Sequence, residues 1–338
     1  MSQSINNTQD KNIIASIVMP VYNEEKHIKE CILSLLKQDY PQEYMEWIFV
    51  DGCSTDRTKE IIEGFQKQYS DLIKIYNNPK KTAPYAMNIG IKAAVGKYII
   101  RLDAHSEYTN NYISKCVDYL KTTDADNVGG KAETKGKGFV GKGIALMLSS
   151  KFGVGNSQFR TDGKSGYVDT VPFGAFRREV FEKYGMYDER LTRNQDNELN
   201  YRIRKNGGKI YLADDIKFTY YCRDSIKGII DMAVQNGKWN IITMKLFPGA
   251  MGVRHFVPFV FLLSLITLPI LGALSSFFIH LYLLEISLYL FLDLMFSVKI
   301  ATELKYIPLL LILFPTFHIS YGFGSLVGFL FLKEVKRT

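Results

Sequence analysis

A chain of 338 residues holds about two domains at roughly 150 residues each, which excludes a short peptide and needs no repeat array. Its 47% hydrophobic and 22% charged content averages two unlike regions. Residues 256–279 and 307–332 contain no Asp, Glu, Lys or Arg, and each run exceeds the roughly 20 apolar residues that cross a bilayer core, which excludes a purely soluble enzyme. The net charge of +8 is spread along the chain without a dense basic run among aromatics, so no nucleic-acid partner is indicated.

The first 14 residues are polar and lack an apolar signal-peptide core, so a disordered start that stays in the cytoplasm is expected. Cys31, Cys53, Cys116 and Cys222 lie far apart with no C-x-x-C pair, indicating neither a zinc site nor a disulfide framework. From residue 15 to 223, short β-branched runs alternate with amphipathic stretches, the pattern of a mostly parallel sheet flanked by helices. Strands are predicted at Ser16–Met19, Trp47–Val50, Ile73–Tyr76, Tyr98–Leu102, Asn127–Gly129 and Lys209–Leu212. Between the first three, Glu25–Lys37 puts Ile28, Ile32, Leu35 and Leu36 on one helical face, and Thr58–Tyr69 does the same with Ile61, Ile62 and Phe65.

In an open α/β sheet, ligands bind beyond the carboxyl ends of the strands, and those positions here are polar. Pro20-Val21-Tyr22-Asn23-Glu24-Glu25 follows the first strand, Asp51-Gly52-Cys53-Ser54-Thr55-Asp56 the second, and Asp103-Ala104-His105 the fourth. Ser54 and Asp56 fit helix capping. Asp103 precedes no immediate helix, and in an extended segment it and His105 would point the same way and could reach one cation.

The ordered set PVYNEE, VDGCSTD, RLDAH, GAFRRE and NQDNEL resembles family 2 glycosyltransferases of the GT-A (Rossmann-like) fold. Within them it is similar to the membrane-anchored succinoglycan-type exopolysaccharide enzymes, which carry D-A-H where D-x-D is usual. The resemblance spans residues 15 to 240. It implies that Pro20, Tyr22, Glu24 and Asp51 hold the base and ribose of a nucleotide-diphosphate sugar, with Gly52 standing where many members have a second acid. It implies that Asp103 meets donor and metal, and that Mg²⁺ or Mn²⁺ offsets the charge of the leaving diphosphate. His105 is either a second metal ligand, which favours Mn²⁺, or a hydrogen-bonding neighbour of one.

Asp196, on the first turn of a helix that ends at Asn206-Gly207-Gly208, matches the position of the general base on the acceptor hydroxyl; Gln195 stands there for the usual Glu. Glu198 is expected to pair with Arg202 one turn on. Gly174 and Ala175, in Phe173-Gly174-Ala175-Phe176-Arg177, resemble the loop that lines the donor sugar. Gln235, Lys238 and Trp239 resemble the acceptor-lining Q-x-x-R-W element, with Lys for Arg. The same residues lie in an amphipathic stretch, 224–254, of the kind that rests at a bilayer surface, so Trp239 is open to either role.

Gly136-Lys137-Gly138-Phe139-Val140-Gly141 matches the dinucleotide fingerprint, but no strand is expected to enter it, and residues 135–166 are predicted as a mobile, Lys-rich loop that folds over substrate; Lys151, Arg160 and Lys164 in it are candidate phosphate contacts. Residues 255–332 form a transmembrane region of two to three spans, with a turn near Ser275 and with Glu285 and Asp293 facing protein. Three crossings would put the basic tail, 333–338, outside, against the positive-inside tendency, so one segment is open to a re-entrant or interfacial course. The expected function is an inverting, metal-dependent glycosyltransferase at the cytoplasmic face of the cell membrane, moving a sugar from a UDP-sugar to a lipid-linked saccharide. The competing readings are a polyprenyl-phosphate sugar synthase and a catalytically silent assembly subunit.

Overall fold

The computed structural model describes residues 12–161 and 163–330; most of the polar start and the whole basic tail lie outside the described residues. In chain order the elements are β1 Ala15–Val21, α1 Ile28–Leu36, β2 Met45–Asp51, α2 Thr58–Gln68, β3 Ile73–Asn77, α3 Ala83–Ala93, β4 Tyr98–Arg101, β5 Ser106–Tyr108, α4 Tyr112–Thr122 and β6 Asn127–Lys135. There follow α5 Gly138–Leu148, α6 Lys151–Val154, β7 Gly166–Tyr167, β8 Ala175–Arg177, α7 Glu179–Tyr184, α8 Gln195–Lys205, β9 Ile210–Tyr221, α9 Ile226–Leu246, α10 Val257–Gly272, α11 Ser276–Ile300 and α12 Tyr306–Leu330. Two compact units divide them: residues 1–129 with 173–189, and residues 130–172 with 190–338.

The first unit is a GT-A, Rossmann-like layer built on strands in the order β3-β2-β1-β4-β8-β6. β1 pairs in parallel with β2 and β4, and β2 with β3; β8 returns antiparallel between β4 and β6. The sheet is therefore mixed, because β8 enters it from a distant stretch of chain rather than by a helical crossover. β1 and β2 read as unbroken apolar runs since both faces are covered, and Ile17, Val18, Trp47, Ile48 and Phe49 are fully buried. One buried carboxylate joins the strands: Glu46 accepts from Ser16 Oγ at 2.5 Å, Val95 N at 2.7 Å and Lys74 Nζ at 2.6 Å. Arg177 closes the end of α4 by donating to the carbonyls of Leu120, Thr123 and Ala125.

In the second unit, β7 runs antiparallel to β9, and Gly130 of β6 lies against the backbone of Ile216 in β9 so closely that no side chain fits. The expected loop at 135–166 is instead largely helical, as α5 and α6. β6 also runs straight into Gly136, so the G-x-G-x-x-G does follow a strand; its glycines are used in packing, Gly136 against Gly141 O and Gly143 against Leu309 and Leu313 of α12.

α11 and α12 are long and apolar enough to cross a membrane, whereas the 16 residues of α10 span only about 24 Å against a core of about 30 Å. The tight turn falls where expected, with Ser275 capping α11 through Phe277 N at 3.3 Å. Glu285 accepts from Ser264 of α10 at 2.5 Å and Asp293 from Ser297 at 3.2 Å, so both acids face protein. α12 packs along α9 through small residues: Gly237 meets the backbone of Tyr321, Gly324 that of Val234, and Gly328 that of Lys238.

Candidate functional site

In the first unit the polar strand ends are tied to one another. Asn23 N donates to Ser54 Oγ at 2.9 Å, Asn23 Oδ1 accepts from Thr55 N at 2.8 Å, and Glu24 N donates to Thr58 Oγ1 at 2.6 Å. These bonds fix the loop after β1 against the loop after β2. Neither Ser54 nor Asp56 is the N-cap of α2, which is Arg57: Asp56, one residue earlier, accepts from Thr58 N, and Ser54 turns back to donate to Asp51 Oδ1 at 2.6 Å. Asp51 itself is 1% exposed, its carboxylate folded into that turn. Tyr22 is exposed, with its ring against Gly52 and Lys81 Nζ 5.7 Å above its centroid. A Cβ at residue 52 would approach the Tyr22 ring to 3.1 Å, so the glycine leaves room for Tyr22 beside the strand end.

Asp103 and His105 flank a turn rather than lying in an extended strand, with Ser106 N reaching Asp103 O at 3.4 Å. Asp103 Oδ1 lies 3.5 Å from Arg101 Nη2, and its backbone N–H donates to the buried Tyr108 hydroxyl at 2.7 Å. His105 Nδ1 faces Glu24 Oε1 at 3.1 Å. Beneath them, the Cys31 thiol is pushed up by burial and by the charges of Asp103, Glu24 and Glu107. The three carboxylates thus put a negative potential over this part of the sheet edge.

That field suits a divalent cation, and a carboxylate bonded to one imidazole nitrogen is the arrangement that orients a histidine toward a metal through the other. Asp103 and His105 could offer a cation one oxygen and one nitrogen, and no cluster of three His, Cys, Asp or Glu suited to a metal occurs among the described residues. Gly174, at φ +81°, accepts from Arg101 N through its carbonyl at 2.9 Å. Ala175 is 1% exposed and pairs in β8 with Ile100 of β4.

In the second unit Asp196 lines a cavity of about 260 Å³ with Arg193, Asn194, Gln195, Asn197 and Asn236. Asn194 begins α8 in a left-handed conformation, φ +62°, held by bonds from its amide nitrogen to Asn240 Oδ1 at 2.8 Å and Thr243 Oγ1 at 3.3 Å. Glu198 makes the expected pair with Arg202, two-pronged at 2.8 and 2.7 Å, and is consumed by it. Arg193 donates to Asn236 Oδ1 at 2.9 Å; burial and the nearby Arg223 charge push its guanidinium below its usual range. Gln235, Lys238 and Trp239 are absent from the walls of this cavity and of the larger one beside it, where α9 presents Asn236 instead. Tyr108, Arg193 and Asn194 carried no sequence signal, because their partners lie five to about fifty residues away.

The family profile described as Glycosyl transferase family 2 matches residues 16–185. A Methanococcus voltae dolichyl N-acetyl-alpha-D-glucosaminyl phosphate 3-beta-D-2,3-diacetamido-2,3-dideoxy-beta-D-glucuronosyltransferase is 30% identical, over 91% of this chain and 95% of its own. The succinoglycan biosynthesis protein ExoA of Rhizobium meliloti (strain 1021) is 32% identical over 61% of this chain and 63% of its own. Among solved structures, the Pyrobaculum calidifontis mannosyltransferase PcManGT in complex with GDP-Man and Mn²⁺ superposes with a TM-score of 0.62 at 16% identity, over 92% of this chain and 86% of that one.

Proposed function

The chain belongs to glycosyl transferase family 2, and on that premise we propose that it transfers a sugar from a UDP-sugar to a lipid-linked saccharide, with inversion, at the cytoplasmic face of a membrane that its C-terminal helices enter. The observation that carries this reading is Asp196 on the first turn of α8, lining a cavity that shares walls with a second one lined by α10, α11 and α12. The names of the relatives support the acceptor class, since one acts on a dolichyl-phosphate-linked sugar and another serves succinoglycan synthesis.

In this reading the first unit holds the donor. Tyr22, beside Gly52, stacks on the base, and Asp51 keeps the loop beneath it in shape through Ser54. Mg²⁺ or Mn²⁺ would be held by Asp103 and His105, and when bound it supplies a Lewis acid that offsets the charge of the departing diphosphate. Tyr108 fixes the backbone of Asp103, and Glu24 fixes the ring of His105. Asp196 accepts the proton of the acceptor hydroxyl as its oxygen bonds to the anomeric carbon and the bond from that carbon to the diphosphate breaks. The products are the extended saccharide and a nucleoside diphosphate.

The test is transfer by the full-length protein in detergent, with a panel of nucleotide sugars, Mn²⁺ or Mg²⁺ against EDTA, and with or without a membrane lipid extract. Turnover of one donor, lost with EDTA and raised by the extract, supports the reading. Nucleotide binding without turnover under every condition would replace it with a silent assembly role.

A further inference from the structure

The larger cavity of the second unit measures about 510 Å³, within the range of about 300–1,000 Å³ typical of small-ligand sites. Much of its wall is apolar, built by Leu148, Phe152, Val257, Phe261, Tyr289 and Phe317 from α5, α6 and the three C-terminal helices. The wall also carries the cations Lys151, Arg160 and Arg254, and no Asp or Glu lines it among the described residues. Such a lining suits a molecule with a long apolar chain and an anionic end.

The three cations are not equivalent. Arg254 is already paired, its Nη2 2.8 Å from Asp169 Oδ2. Arg160 has its guanidinium carbon 4.7 Å from the Tyr220 ring centroid and 5.4 Å from that of Phe159, and its Nη1 is buried with no hydrogen-bond partner among the described residues. A buried charged donor left unpaired is costly, and a guanidinium beside aromatic rings still offers N–H groups that suit a phosphate. Position adds the last element. Phe159, Thr170, Asn197 and Asn236 line both this cavity and the one holding Asp196, so the two adjoin.

We infer that this cavity seats the phosphate-bearing end of an isoprenoid acceptor lipid, with its first isoprene units between α6 and the C-terminal helices, its phosphate on Arg160 and its attached sugar directed to the cavity of Asp196. The inference rests on the glycosyltransferase reading and deepens it by naming what holds the acceptor. Free phosphate would make no use of the apolar wall. An ordinary bilayer phospholipid would gain nothing from the passage to Asp196. Arg160 is a binding residue here; no proton moves through it.

The test is calorimetric binding to the full-length protein in detergent, with farnesyl diphosphate, inorganic pyrophosphate, phosphatidylglycerol and UDP as separate titrants. Farnesyl diphosphate is expected to bind, and pyrophosphate to bind at least tenfold more weakly. Arg160→Gln should weaken farnesyl diphosphate at least tenfold and Arg160→Lys by less. Val257→Trp, which fills the apolar part of the wall from an exposed position, should weaken farnesyl diphosphate but leave pyrophosphate unchanged. UDP affinity and the thermal midpoint should stay constant across the variants. Three outcomes overturn the inference alone: wild type that binds UDP but not farnesyl diphosphate, farnesyl diphosphate affinity indifferent to both Arg160→Gln and Val257→Trp, or equal competition by phosphatidylglycerol. Absence of UDP binding by folded wild-type protein overturns the transferase reading, and the inference falls with it.

Discussion

His105 turns Nδ1 toward Glu24 Oε1 at 3.1 Å, joining the turn after β4 to the loop after β1. If this pair orients the ring for a metal, Glu24→Gln should leave transfer intact at saturating Mn²⁺ but raise the Mn²⁺ needed for half-maximal rate by about 10- to 100-fold. A Mn²⁺ titration of initial rates checks it. An unchanged midpoint would mean the pair only braces two loops.

Asp196→Asn keeps size and polarity while removing the proton acceptor. The turnover rate should fall by about 10²- to 10⁴-fold with UDP affinity and thermal midpoint unchanged, as read by steady-state kinetics beside calorimetry. A loss under tenfold would move the base elsewhere.

Tyr108→Phe removes the hydroxyl that holds Asp103 N–H at 2.7 Å, at a buried position where the ring still fits. The expected result, if Asp103 meets the donor as proposed, is a higher KM for the nucleotide sugar with a smaller change in kcat, since Tyr108 acts only through the backbone of Asp103.

Glu46 supplies a pH dependence. Burial alone would raise its pKa, but bonds from Lys74, Ser16 and the Val95 N–H outweigh that and hold the carboxyl below its usual range. A carboxyl lowered on folding stabilises the protein fully above its unfolded pKa of about 4.3, and that contribution is lost as pH falls through the folded value. Glu46→Gln should therefore be less stable at pH 7 by about 1–3 kcal/mol, with the gap to wild type closing as pH drops below about 4. Denaturant midpoints across pH 3 to 7, at steps of about half a unit, decide it.

The helix crossing is equally exposed to test. Gly324→Leu forces a side chain onto the Val234 backbone, and overpacking of this kind costs about 1–3 kcal/mol or more. A lower thermal midpoint in detergent, with UDP affinity retained, is the expected result.

Much of the first unit was legible because β1, β2 and β4 are buried on both faces and so appear as plain apolar runs with polar residues at their ends. β6 and β9 outran their expected limits: Lys131, Glu133, Asp215 and Lys217 alternate with buried neighbours on half-exposed strands, and that alternation hides in a charged sequence. α5 read as a loop because three of its eleven residues are glycine, yet packing on α12 turns that weakness into close contact. At the site, the acids were visible and their partners were not. Asp103 could be picked from its neighbours in sequence, while the Tyr108 hydroxyl, the rings beside Arg160 and the place of Asn236 in the cavity of Asp196 depend on how distant segments meet.

α12 is no leash by which a finished enzyme is tethered. It fills the groove along α9, covers Ile144 and Met147 of α5 in a shared apolar cluster, and carries His318, whose Nε2 meets Phe152 O of α6 at 3.0 Å. A version cut before Val257 to obtain a water-soluble catalyst would bare Ile229, Ala233 and Ile241 and remove much of the wall of the 510 Å³ cavity. The helices long and apolar enough to enter a membrane are thus also packing partners of α5 and α9, and removing them takes those contacts away.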